Sequence, residues 1–103
     1  MANPVRNSYV AECFWAGVRE EDLRALDRRV GASIVAVAGD REPVRYLGWL
    51  RVIDDDVVLV LFDGPIGRIR RVVDQSEIPF SRILQVAHGP WPPNPRTDEE
   101  EPQ

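Results

Sequence analysis

Two runs in this chain have no water-facing side. In "YVAECFW", Tyr9 to Trp15, strand alternation puts Tyr9, Ala11, Cys13 and Trp15 on one face, and Val10, Glu12 and Phe14 on the other. The run "VVLVLF", Val57 to Phe62, is apolar on both faces. A strand of that kind is stable only when both faces are covered. A domain of two layers covers one face of its sheet, so something further must cover the other.

The rest of the chain supplies one covering layer. Leu23, Leu26, Val30, Ile34 and Val37 recur at steps of three and four, which predicts one apolar stripe on a helix over roughly residues 20–38. Glu20, Glu21 and Asp22 suit its positive N-terminal end, Gly39 is a C-terminal stop, and Pro43 lies beyond it. The local run "SIVAVA" also alternates like a strand, and Gly31 weakens the helix, but the stripe continues in register from Leu23. Two strands follow, Val44 to Ile53 and Val57 to Phe62, joined by a hairpin-like Asp54-Asp55-Asp56 link. A second helix is expected from Ile66 to Ser76. Ile69, Val72 and Val73 face inward there, and Arg68, Arg70 and Arg71 mostly outward. "SRILQVAH" forms the last strand.

Strand, helix, strand, strand, helix, strand is the split motif of a ferredoxin-like α+β sandwich, βαββαβ. Its first and third strands are central, and these are the two runs without a polar face. Both helices fall on one side, so the expectation for the other side is a second copy of the sheet, giving a homodimeric α/β barrel. Residues 1–7 are expected as a flexible N-terminus, 8–89 as the domain, and 90–103 as a disordered tail rich in proline and acid.

Composition narrows the function classes. A chain of 103 residues can bury about two-thirds of its unfolded surface without a staple. Cys13 is the sole cysteine, which excludes an internal disulfide and a Cys-rich zinc site. The net charge of −4 is concentrated partly in "TDEEEPQ", so neither nucleic acid nor an anionic membrane is an expected partner. "MANPVRNS" has no apolar signal core and no run is long enough to span a bilayer, so a cytoplasmic location is expected. Every basic residue other than His88 is arginine, which removes Schiff-base and phosphate-loop lysines.

The segments "YVAECFWAGV", "DLRALDRRV", "VRYLGWLRVIDDDVVLVLFDGP" and "IPFSRILQVAHG" together resemble a family of small actinobacterial domains of unknown function, typified by a nickel-binding protein. The likeness runs from about Tyr9 to Gly89. Its most recognisable pieces are "VRYLG", the Leu-Phe-acid-small-Pro run and "IPF-x-RIL". The resemblance implies a dimeric ferredoxin-like α+β fold and raises nickel, or another divalent transition metal, as a cofactor. Where such proteins often open the first helix with Thr or Ser, this chain has Arg19 and loses a good N-cap.

Three constellations could carry chemistry. Glu12, on a central strand, needs a partner or a raised pKa, with Gln85, Arg45 and Arg51 expected nearby. It reads as an acid/base or ligand-anchoring group between subunits, or as a structural ion pair. Glu12, Cys13 and His88 offer carboxylate, thiolate and imidazole to nickel or zinc, and symmetry could double them. Alternatively, Cys13 packs as a small apolar residue and His88 is an exposed strand-end histidine. Phe14, Trp15, Tyr46 and Trp49 could line a pocket for a flat apolar ligand, or serve as packing.

Three functions follow. The first is a ligand- or metal-binding protein with its site near the dimer interface, using Glu12, Trp15, Tyr46, Trp49 and Gln85. The second is a cofactor-independent oxygenase or isomerase with Glu12 as acid/base and Tyr46 as donor. The third is a non-catalytic interaction module. Triads, phosphate loops and calcium loops have no matching spacing.

Overall fold

The computed structural model of the chain describes residues 7–37 and 43–87. Its elements are β1 (Asn7–Phe14), α1 (Glu20–Val37), β2 (Arg45–Val52), a short 3-10 turn (Ile53–Asp55), β3 (Val57–Asp63), α2 (Ile66–Gln75) and β4 (Arg82–Ala87). The strands form one antiparallel sheet in the order β2-β3-β1-β4, an α+β arrangement compatible with the ferredoxin-like topology. β1 and β3 are central, as their sequences demand. None of the helices is long and apolar enough to cross a membrane, among the described residues.

α1 starts at its acidic first turn without an N-cap side chain of its own. The backbone N–H of Arg19 instead donates to Asp22 Oδ2 at 2.9 Å, while the Arg19 carbonyl accepts from the N–H of Leu23 at 3.2 Å. This is half of a capping box, with the third helical residue reaching back, and it compensates the poor cap expected from Arg19. Leu23, Leu26, Val30 and Val37 are buried from one stripe, so the helical period prevails over the strand-like alternation of "SIVAVA".

α2 buries Ile69, Val72 and Val73. It ends in a complete Schellman motif: Ile78 N–H donates to the Val73 carbonyl at 3.3 Å, and Glu77 N–H to the Asp74 carbonyl at 3.1 Å. Glu77 takes the left-handed position usually held by glycine, with φ 57°. Ile78, buried, completes the motif's apolar contact.

The two helices cover one face of the sheet. Ala11 and Cys13 of β1, Val58, Val60 and Phe62 of β3, and the buried helix residues form the core, with Tyr9, Trp15, Tyr46 and Trp49 packed against it. β2 reaches that arrangement only through a bulge. Tyr46 opposes Phe62 but Gly48 opposes Leu61, so Leu47 is an extra residue and the alternation changes parity there. Gly48 sits at φ 113°, a conformation that suits glycine. The bulge puts Tyr46 and Trp49 on the same, helix-covered face and leaves Leu50 and Val52 on the open one.

The hairpin after β2 is the short 3-10 turn, closed by Asp56 in the left-handed region at φ 54°. The sequence expectation of a turn at Asp54–Asp56 therefore holds in outline. Gly64 answers a different need: a Cβ there would stand 3.1 Å from the Pro43 carbonyl oxygen and 3.2 Å from Val44 Cα. The expected tail and residues 1–6 of the expected N-terminal segment lie outside the described residues, whereas Asn7 opens β1.

Candidate functional site

The open face of the sheet is an ordered grid. Ser8, Val10, Glu12 and Phe14 of β1 stand beside Asp63, Leu61, Leu59 and Val57 of β3. Arg45, Gly48, Leu50 and Val52 flank β3 on the β2 side, and Val86, Leu84 and Arg82 flank β1 on the β4 side. The centre is apolar. Phe14 is 64% exposed, Leu50 46% and Val52 38%. Large side chains this open to water on one sheet face make an apolar patch rather than scattered exceptions.

Among the described residues, charge on this face falls in two pairs. Glu12 Oε1 accepts from Arg82 Nε at 2.6 Å, and Arg45 lies 3.8 Å from Asp63. The Glu12 carboxylate raises the pKa of Arg82 through the hydrogen bond and then its charge. Strand pairing fixes the first contact, because Glu12 and Arg82 are direct cross-strand partners. Ser81 adds to it, donating from its backbone N–H at 2.8 Å and from its hydroxyl at 3.1 Å to the Glu12 carbonyl.

The partner of Glu12 is therefore Arg82, which sequence reasoning missed. Gln85 opposes Tyr9 instead, on the helix-covered face, and Arg45 is engaged with Asp63. Arg51 pairs in register with Val58, also away from the open face. The signal was present in "SRIL", but choosing Arg82 over Gln85 required the register of β4. A slip of three residues exchanges one for the other and reverses the face.

The proposed metal ligands are not brought together. Cys13 points into the core, wholly buried, on the side of the sheet opposite Glu12. Burial, and then the Glu12 charge, pushes its thiol up to about 11, which disfavours the thiolate that a metal needs. His88 lies outside the described residues. No group of three His, Cys, Asp or Glu side chains able to hold a metal occurs among the described residues. Of the described donors, Glu12 and Cys13 stand on opposite sides of the sheet and do not form a nickel or zinc site together.

The aromatic pocket is also divided. Trp15, Tyr46 and Trp49 pack against the core beneath the helices, whereas Phe14 stands on the open face. The Tyr46 hydroxyl donates to Asp27 Oδ1 at 2.6 Å and its ring lies 5.6 Å from that of Phe62. Burial, then that hydrogen bond and the Asp27 charge, hold its pKa above the usual phenol range. Tyr46 thus ties β2 to α1. The sheet separates it from Glu12, so the two do not form one acid/base site within a subunit.

Searches against protein-family models, curated proteins and solved structures find no match. The resemblance to the nickel-binding family rests on the quoted segments alone.

Proposed function

We propose that this chain is a non-catalytic interaction domain whose partner is a second copy of itself. The two open sheet faces pack together and complete the dimeric α/β barrel expected from the sequence. The observation that carries this is the exposed apolar cluster of Phe14, Leu50 and Val52 at one end of the grid, continuous with the half-buried Leu59 and Leu61.

Charge selects the occupant. The chain as a whole carries −4, so a generic like-charged surface would repel its own copy. This face instead holds one acid and one base at each of two places, Glu12 with Arg82 and Asp63 with Arg45. It is neutral, and each pair presents both signs to a twofold-related copy. That is the apolar centre and polar margin of a self-complementary interface. The ligand- or metal-binding and enzymatic readings have less support, since their residues fall on opposite sides of the sheet.

Sedimentation equilibrium from about 1 to 100 µM tests the proposal, the range in which a modest dimer dissociates. The natural chain should be dimeric at the upper end. Leu50→Asp should be monomeric there with an unchanged circular dichroism spectrum, because symmetry introduces the charge into the interface twice. A natural chain that stays monomeric throughout sinks the proposal.

A further inference from the structure

The helix layer contains a groove of about 400 Å³ between α1 and the end of α2, lined by Arg29, Ala32, Ser33, Ala36, Gln75 and Glu77. It is shallow and largely open to solvent rather than an enclosed cavity. It is separate from the open sheet face and shares with the fold described above the end of α2, Gln75 and Glu77. The geometry points to a binding site for a small zwitterion, an amino acid whose carboxylate meets Arg29 and whose ammonium meets Glu77.

Arg29 is already oriented. Its Nε donates to the Ser76 carbonyl at 2.8 Å, which holds the planar guanidinium in place and leaves its terminal nitrogens for a ligand. A fixed guanidinium fork matches a carboxylate. Glu77 lines the same groove, yet no ion pair joins it to Arg29 or to another cation among the described residues. Two opposite charges sharing one groove without neutralising each other recognise a molecule that carries both.

Two further observations favour an ammonium at the Glu77 end. Gln75 is the last residue of α2, Ser33 and Ala36 come from the closing turns of α1, and neither helix has a basic residue in its last turn. Arg29 already meets the end of α2 through the carbonyl of its C-cap Ser76, so the helix end without a basic side chain among the described residues is that of α1. Glu77 also occupies a left-handed position, φ 57°, at which glycine would be unstrained and asparagine tolerated. The Schellman turn thus fixes the backbone that carries the Glu77 carboxylate beside the groove. Between the charges, Ala32 and Ala36 provide a short apolar floor for a hydrocarbon stem.

The test is amide-resolved NMR titration of the full chain with glycine, β-alanine, 4-aminobutyrate and 6-aminohexanoate, using acetate and methylammonium as single-charge controls. At least one amino acid should shift the amides of Ala32, Ser33, Ala36 and Gln75 in roughly the millimolar range, about tenfold below either control. Glu77→Gly removes the carboxylate and relieves the backbone, so this variant stays folded. It should lose at least about tenfold in amino-acid affinity while acetate binding is kept. Equal affinity for acetate and every amino acid overturns the proposal, as do shifts confined to other residues or full binding by Glu77→Gly. The readout is local to the helix layer, so a monomeric protein and an empty groove are distinguishable results.

Discussion

The two faces of the sheet have nearly the same hydrophobicity in sequence and very different fates. On the helix side Ala11, Cys13, Val58, Val60 and Phe62 are each at most 1% exposed. On the open side of the same strands Val10 and Val57 are buried too, but Phe14 at the strand end is 64% exposed, and Leu50 and Val52 on β2 are exposed as well. Side-chain type does not explain the difference, since Val and Phe occur on both. Layer assignment does: both helices lie on one side, and among the described residues no helix lies on the other. The covered face stabilises the fold, whereas the open face is available for association.

The largest test of that contrast is Phe62→Ala. Phe62 is fully buried and stacks near Tyr46, so the variant should lose about 3–5 kcal/mol in urea denaturation. A loss below about 1 kcal/mol would mean that the covered face is not the core.

Alkaline titration sharpens the comparison next. The Cys13 thiol ionises near 9.0 when free and near 11 when folded, so it adds no pH dependence below about pH 9. Above that the unfolded chain loses its proton first and stability falls, by up to about 2 kcal/mol as the pH approaches 11. Tyr46, held protonated by burial and Asp27, acts with the same sign at still higher pH. Urea midpoints at about pH 8 and about pH 10.5 should differ markedly in the natural chain and less in Cys13→Ala. An equal pH dependence in both would show that Cys13 is not the responsible group.

Glu77→Gly should stabilise the chain by about 1 kcal/mol, since it removes a side chain from a left-handed backbone position without disturbing the Schellman hydrogen bonds. Thermal denaturation reads this directly, and a lower melting temperature would contradict the assigned cap. The smallest effect is expected on the open face itself. Measured where the chain is monomeric, Leu50→Asp should change stability by no more than about 0.5 kcal/mol, even though it abolishes the dimer. A large loss in the monomer would erase the distinction between the two faces.

The division between what was legible and what was not follows interaction range. The apolar stripe from Leu23 to Val37, the alternation in β1 and β3 and the turn at Asp54–Asp56 are local patterns, with periods written within a dozen residues. They determined the order of elements and which two strands are central. The candidate site was less legible. Glu12 stood out because a carboxylate among apolar strand residues must be satisfied, but its partner depended on the register of β4, seventy positions away.

By itself, then, the sequence determined an α+β chain with two central strands that are apolar on both faces, because backbone periodicity is a local property. The tertiary structure alone decided that Arg82 rather than Gln85 meets Glu12, that Asp27 meets Tyr46, and that a bulge at Leu47 brings Tyr46 and Trp49 to one face. Those outcomes depend on how distant segments slide past one another. A shift of a single residue, which leaves composition and periodicity untouched, reverses the face on which every later side chain stands.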